Sequence, residues 1–279
     1  MKVTSPKLTI NAIQKVLKRS RMKSFRAHIP IFIEKKNYIV KTADSKEELH
    51  AALKLRHDVF LEELLKKRKR NGIDKDRFDK LCDHLIIIDK RSGLLIGTYR
   101  MQSSLYGKKW YTATEFHMKQ IKRLPGTKLE LGRACVHPEH RNGITIALLW
   151  EGITEYIKES GTNYLFGCSS IKTTNKAEIQ RIYHYLLQNG HLSHEHHVRP
   201  RTKFRVPGMK RQILSQNVEP LSAAQMKDML PSLLSSYLKA GAKVCGSPAL
   251  DKSFKCIDFL TLLDVSNLQD KALRKPRDH

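Results

Sequence analysis

The sequence predicts an α/β fold: a mixed central sheet with helices on both of its faces. Three observations lead there. Short apolar runs with two-residue alternation are interleaved with segments of helical periodicity. Two of the early apolar runs are joined by a tight turn, Arg91-Ser-Gly93, which makes them a hairpin. The chain has 279 residues and a hydrophobic fraction of 40%, enough for one large domain with an appendage.

The elements follow in order. Residues 1–40 hold ten Lys/Arg and a single acid, Glu34. Within them Leu8, Ile10, Ile13, Val16 and Leu17 recur at helical spacing. Residues 1–36 therefore read as a basic amphipathic extension suited to an anionic membrane surface, or as a solvated arm. A strand is expected at 37–42. Ser45 or Asp44 then caps a helix carrying Leu49, Ala52, Leu53, Leu55, Arg56, Val59 and Phe60. Five consecutive basic residues at 66–70 precede the turn signal Asn71-Gly72 and read as a mobile loop. The hairpin strands are 84–89 and 94–102. A strand at 129–136, a helix at 144–159, a strand at 163–168 and a helix at 175–188 follow, the last closed by Asn189-Gly190. Residues 197–207 read as basic and extended. Residues 223–240 are helical and interrupted at Pro231. A final strand spans 256–265, and 266–279 is a polar tail. The expected domain is 37–265, with no internal repeat.

Composition narrows the partners. A net charge of +25 and a pI near 9.9 call for something acidic: nucleic acid, an anionic membrane face or an acidic protein. The basic stretches lack interleaved aromatics and no recognition-helix module is evident, which argues against nucleic acid. No run approaches the ~20 apolar residues of a membrane span, and no apolar secretory core is seen near the start. The five cysteines, Cys82, Cys135, Cys168, Cys245 and Cys256, form no CxxC or metal spacing. They are expected to be reduced and mostly buried. His191, His194, His196 and His197 have no ligand spacing either, so no metal site is expected.

The chemistry concentrates at 129–145. A strand carrying Glu130 and Arg133 breaks into the loop His137-Pro-Glu-His-Arg141-Asn-Gly143 and opens a helix. Alternation puts Glu130 and Arg133 on opposite faces unless Gly132 permits a bulge. Glu130 can take a proton from an incoming ammonium group; a structural Glu–Arg pair is the plainer reading. Gly143 and the N–H groups opening the helix make an anion site, to which Arg141 adds charge. A covalent route through Cys135 and His137 is the weaker reading, because a thioester is already activated.

This strand–loop–helix unit resembles the acyl-donor site of the GNAT acyltransferase superfamily. Arg56-His-Asp-Val-Phe60, Asp79 with Asp83, Arg100 and Glu130-Leu-Gly-Arg133 fall in the order that marks acyl-homoserine-lactone synthases. Glu130-Leu-Gly-Arg-Ala-Cys-Val-His-Pro138, Phe166-Gly-Cys-Ser-Ser170 and the 237–258 segment resemble the ornithine Nα-acyltransferases more closely still. That resemblance spans roughly 37–265. It implies transfer of a 3-hydroxy fatty acyl group from acyl carrier protein to the α-amine of ornithine, giving lyso-ornithine lipid. No cofactor would be bound permanently; the donor would be the acyl-phosphopantetheine of the carrier protein, with acyl-CoA as the other candidate. Glu130 and Arg133 become the catalytic pair. Val136, Arg141, Gly143 and Thr145 become the donor-binding set, with N–H groups near Val136 polarising the thioester carbonyl. Arg56, Phe60, Asp79, Asp83, Arg100 and Ser169 would bind substrate, Arg100 by a fork of hydrogen bonds to the amino-acid carboxylate. For each of these, core packing, capping or surface placement is the plainer alternative. Tyr183 sits where GNAT enzymes place a leaving-thiol acid, but packing suits it better.

The loop departs from the usual GNAT pattern. Arg141 stands two residues before Gly143, and Thr145 occupies the place of a second glycine, which suits a carrier-protein donor. An acidic carrier protein would dock on 66–70 or on Arg199, Arg201, Lys203, Arg205, Lys210 and Arg211. The location implied is the cytoplasm, at the inner face of the cytoplasmic membrane. The alternatives are an acyl-homoserine-lactone or other N-acyl amino acid synthase, and a non-catalytic basic membrane- or nucleic-acid-binding protein.

Overall fold

The computed structural model describes residues 25–209, 221 and 223–268. In chain order the elements are β1 (Phe32–Glu34), β2 (Tyr38–Thr42), α1 (Lys46–Arg56), β3 (Asp83–Asp89), β4 (Leu94–Ser103), α2 (Lys119–Arg123), β5 (Thr127–Val136), α3 (Gly143–Ser160), β6 (Thr162–Ile171), α4 (Lys176–Gln188), α5 (Ala223–Met229), α6 (Ser232–Ala240), β7 (Lys243–Val244), β8 (Ala249–Asp251) and β9 (Cys256–Asp264). Their packing divides the chain into two compact units. The first takes the described residues up to Gly107 together with Leu131–Gly161. The second takes Lys108–Glu130 and the described residues from Thr162 onward. The proposed amphipathic helix of the extension, Lys210, Arg211 and the end of the polar tail lie outside the described residues.

In the first unit, β1, β2, β3 and β4 form an antiparallel series. Gly93, at φ 66°, closes the β3–β4 hairpin. Ser45 caps α1 by accepting from Glu48 N–H, and Glu48 reaches back to Asp44 N–H, so orphan donors at the helix start are satisfied. The helix does not stop at Arg56: it runs on as a π-helical segment, His57–Leu64. The long helix α3 packs on β2, β3 and β4. Its approach is close at Gly152, where a Cβ would stand 2.7 Å from Leu85 and 2.8 Å from Val40. Leu55, Val59, Ile86, Ile88 and Cys135 are buried together in this unit's core, with Phe60 packed against them.

The second unit holds a mixed sheet. β5 pairs parallel to β6 from Thr127 to Glu130, and β6 pairs antiparallel to β9 along its full length. β7 and β8 both pair with β9. Asn175, expected as the first residue of this helix, instead caps α4 through Ala177 and Glu178 N–H. The helical stretch at 223–240 is broken at Pro231 into α5 and α6. The 197–207 stretch is extended but makes only isolated bridges, Phe116 with Pro200, Val198 with Gly246 and Arg205 with Ala249. Gly246 is required there, since a Cβ would meet the Val198 carbonyl oxygen at 2.5 Å.

Four features were not legible. β1 lies inside what reads as the N-terminal extension, β7 and β8 are too short to show alternation, and α2 is too short to show a helical period. The continuation of α1 as a π-helix carries no sequence signal, because Val59 and Phe60 extend the apolar pattern of the α-helix before it.

Candidate active site

The first unit contains a network of three arginines and three aspartates, joined at its edge by Lys69, whose Nζ stands 3.8 Å from Asp74 Oδ1. Arg56, the last residue of α1, is completely buried. Its Nε and Nη2 donate to Asp74 Oδ2 at 3.0 and 2.8 Å, and its Nη1 donates to Asp79 Oδ1 at 2.6 Å. Arg100 on β4 donates through Nη1 to Asp79 Oδ1 at 3.0 Å and to Asp76 Oδ2 at 2.7 Å. Arg133 on β5 reaches Asp76 at 3.5 Å and Asp74 at 3.8 Å. The three aspartates offset the charge of the buried arginines, as burial demands. Burial raises the Asp79 carboxyl, but Arg56 and then Arg100 outweigh it and hold it well below the usual carboxylate range. His84 donates from Nε2 to the Asp79 carbonyl oxygen at 2.9 Å. Burial depresses that imidazole to about 4, so it is neutral at pH 7.

Sequence reasoning named four members of this network: Arg56, Asp79, Arg100 and Arg133. It missed Asp74 and Asp76. The available signal was Ile73-Asp-Lys-Asp-Arg-Phe-Asp79, an acid-rich run directly after five basic residues in a strongly basic chain. Arg133 differs from the other two arginines. Its contacts are the longest, its side chain is 16% exposed, and its φ of 55° puts a non-glycine residue in the left-handed region. The expected break in strand alternation therefore falls on Arg133 rather than on Gly132, and re-aims the guanidinium.

Asp83 belongs elsewhere. It is fully buried. Its carboxylate accepts from His28 N–H at 2.8 Å, His28 Nδ1 at 3.0 Å, Ile29 N–H at 3.1 Å and Tyr156 Oη at 2.8 Å. Four donors fill the lone pairs of a carboxylate. An acceptor-pocket role for Asp83 gives way to a tether that fixes residues 28 and 29, with the His28 ring stacked on Tyr106 at 3.8 Å. Phe60 is half-buried and packs against the core of this unit.

Within the first unit, the 136–145 loop leaves β5 and enters α3. Asn142 caps α3 by accepting from Thr145 N–H at 3.0 Å, and Thr145 Oγ1 donates to the His140 carbonyl oxygen at 2.7 Å. Thr145 is buried and commits both donors inside the loop, which removes it from the expected donor-binding set. Gly143 and Ile144 are exposed, and helix geometry leaves first-turn N–H groups without intrahelical acceptors. Arg141 donates from Nε to the Val136 carbonyl oxygen at 3.2 Å, and its Nη1 and Nη2 grip Glu63 at 2.7 and 2.6 Å. Cys135 is buried, donates to the Leu55 carbonyl oxygen, and burial pushes its thiol well up. A covalent route through it is disfavoured, since only the thiolate is a nucleophile.

In the second unit, Glu130 is 6% exposed. Its two oxygens accept from Tyr111 N–H at 2.8 Å and Thr112 N–H at 2.7 Å. Ser169 accepts from Thr261 Oγ1 at 2.8 Å. Tyr183 packs against the α4 core, the role its sequence position favours. Glu115, Asp251 and Asp258 bring carboxylate oxygens within 4.8 Å of one another, all buried. Burial, then Asp258 and Asp251, pushes Glu115 up to about 8, so it keeps its proton at neutral pH. His57, Asp58 and Glu62 are the other group with metal-compatible spacing among the described residues. There His57 Nε2 accepts from Lys69 N–H, so the nitrogen facing Asp58 is the protonated one and not a ligand.

The chain is an acyltransferase of the GNAT class: the acetyltransferase (GNAT) domain model matches residues 55–151, and its relatives are acyltransferases. The L-ornithine N(alpha)-acyltransferase of Rhizobium meliloti (strain 1021) is 30% identical over 257 residues, 85% of this chain and 83% of the relative. That of Rhodobacter capsulatus is 29% identical over 248 residues, 84% of this chain and 93% of the relative. The chain belongs to the L-ornithine Nα-acyltransferase family. Among solved structures, FeeM, an N-acyl amino acid synthase from uncultured soil microbes, aligns over 84% of this chain and 94% of its own, with a TM-score of 0.48 and 10% identity. No helix among the described residues is long and apolar enough to cross a membrane.

Proposed function

We propose that this chain transfers a 3-hydroxy fatty acyl group from the phosphopantetheine thioester of an acidic acyl carrier protein to the α-amine of ornithine, giving lyso-ornithine lipid. The observation that carries this reading is the Arg56–Asp79–Arg100–Asp76–Arg133–Asp74 network in a member of this family. Its arginines and aspartates offer a partner to each charge of a zwitterionic amino acid, so neither need be buried uncompensated. Arg133, the most exposed and least tightly held arginine of the three, takes the acceptor carboxylate, while Arg56 and Arg100 fix the aspartates around it. Glu130 accepts the proton of the α-ammonium, directly or through water. The freed amine attacks the thioester carbonyl, the C–N bond forms as the C–S bond breaks, and the departing sulfur takes up a proton. The loop from Val136 to Gly143 binds the pantetheine phosphate through Arg141 and the first-turn N–H groups of α3. The basic surface and N-terminal extension steer the carrier protein and hold the enzyme at the inner, anionic face of the cytoplasmic membrane, where an acylated product partitions.

Incubation of the purified protein with 3-hydroxyacyl carrier protein and ornithine should yield a singly acylated ornithine by mass spectrometry. Product from another amine but none from ornithine would overturn the acceptor. Product from acyl-CoA alone would overturn the donor.

A further inference from the structure

Glu63 has no role in the reaction just described, yet it holds the residue expected to receive the donor's phosphate. It lies in the π-helical segment His57–Leu64, seven residues beyond Arg56. Its two carboxylate oxygens occupy the whole guanidinium fork of Arg141, at 2.7 and 2.6 Å, while the third edge of that guanidinium is spent on the Val136 carbonyl oxygen. The pair is not a buried structural bridge: the two side chains are 42% and 35% exposed. Lys66 and His137 add positive charge around Glu63. Beside the fork are Gly143, where a Cβ would meet nothing within 4 Å, and the exposed residue Ile144. A carboxylate here satisfies the same planar, bidentate geometry that a phosphate would.

We infer that Glu63 is an internal stand-in for the donor's phosphate: the acyl donor must displace its carboxylate from Arg141 to bind. This rests on the reading of the 136–143 loop as the donor site and adds its regulation. Two consequences follow from the connectivity. Donor affinity is set by a competition within the enzyme, so Glu63 weakens donor binding without touching the reacting atoms. Displacement also frees the end of the π-helical segment whose first turn adjoins Arg56, so donor arrival and the acceptor network share one helix. π-Helical turns have looser packing than α-helical ones, which suits a segment that must give way.

The test is Glu63→Gln beside Arg141→Ala, using coenzyme A as a dead-end probe by calorimetry and acyl-donor KM and kcat by steady-state kinetics. Glu63→Gln should tighten coenzyme A and lower donor KM about twofold to fivefold, the range for an exposed charged pair, with kcat and thermal midpoint nearly unchanged. Arg141→Ala should weaken both ligands. Unchanged or weaker binding in Glu63→Gln, with Arg141→Ala weakened, would overturn the stand-in and leave the donor loop intact. Binding indifferent to Arg141→Ala would overturn the loop assignment and the stand-in with it.

Discussion

Asp79 is the residue on which the buried arginine–aspartate network turns. It accepts from two buried guanidiniums and from Asp76 N–H. Breaking a buried ion pair by removing one partner costs about 3–5 kcal/mol, because the remaining charge is stranded. Asp79→Asn should therefore lower urea-denaturation stability by that order and abolish acyl transfer. Asp58→Asn, at a half-exposed pair with Lys54, should cost less than about 1 kcal/mol. Glu115 gives a second test, through pH. Its folded carboxyl titrates near 8 and its unfolded one near 4.5. A raised acid contributes stability that is complete below the unfolded value and declines as pH rises through the folded one. His84 runs the other way: depressed from 6.5 to about 4 by burial, it contributes stability above 6.5 that is lost as pH falls. The two slopes oppose each other between about 4.5 and 6.5, but from 6.5 to 8 only Glu115 acts. Unfolding free energy should fall across that upper window in the wild type, and Glu115→Gln should flatten it.

At the scale of the element, β5 is the most informative segment. Pairing with β6 ends at Glu130, and three residues later Arg133 takes a left-handed backbone. An L-residue in that region costs on the order of 1 kcal/mol, whereas glycine adopts it freely. Arg133→Gly should thus be more stable than Arg133→Ala by about 1 kcal/mol in urea denaturation, while both lose activity. A functional group at a strained position produces that separation; an arginine placed only for packing does not. α1 and its π-helical continuation place Arg56 in the buried network and Glu63 against Arg141 on one continuous element.

On the scale of the whole molecule, the charge of +25 is the dominant property. Exposed Lys119, Lys122, Arg123, Arg199, Arg201, Lys203 and Arg205 lie on segments of the second unit that the Phe116–Pro200 bridge and the Arg201–Glu115 backbone bond zip together. Fields of this kind raise association rates and are screened by salt. kcat/KM with acyl carrier protein should fall steeply between low and physiological ionic strength. With a short acyl-pantetheine donor, which lacks the acidic partner, it should fall much less. Equal salt dependence for both donors would remove the docking role from the basic surface.

Much of this protein follows from local order in the chain. Two-residue alternation marked β2, and short apolar runs marked β3, β4, β6 and β9. Asn189-Gly190 closed α4, Pro231 broke the late helix, and Ser45 capped α1, because each acts on backbone within a few residues of itself. The same locality brought out the strand–loop–helix unit at 129–145 and most of the arginines and aspartates of the site. Only tertiary packing decided how those charges pair. Whether Asp79 or Asp83 meets Arg56, whether Thr145 offers a donor or spends it on His140, and whether Arg141 stands free or grips Glu63 depend on contacts up to 78 residues apart along the chain. No spacing rule encodes such contacts. A charged side chain chooses its partner by burial and by the need to leave no charge uncompensated, and both are properties of the folded molecule.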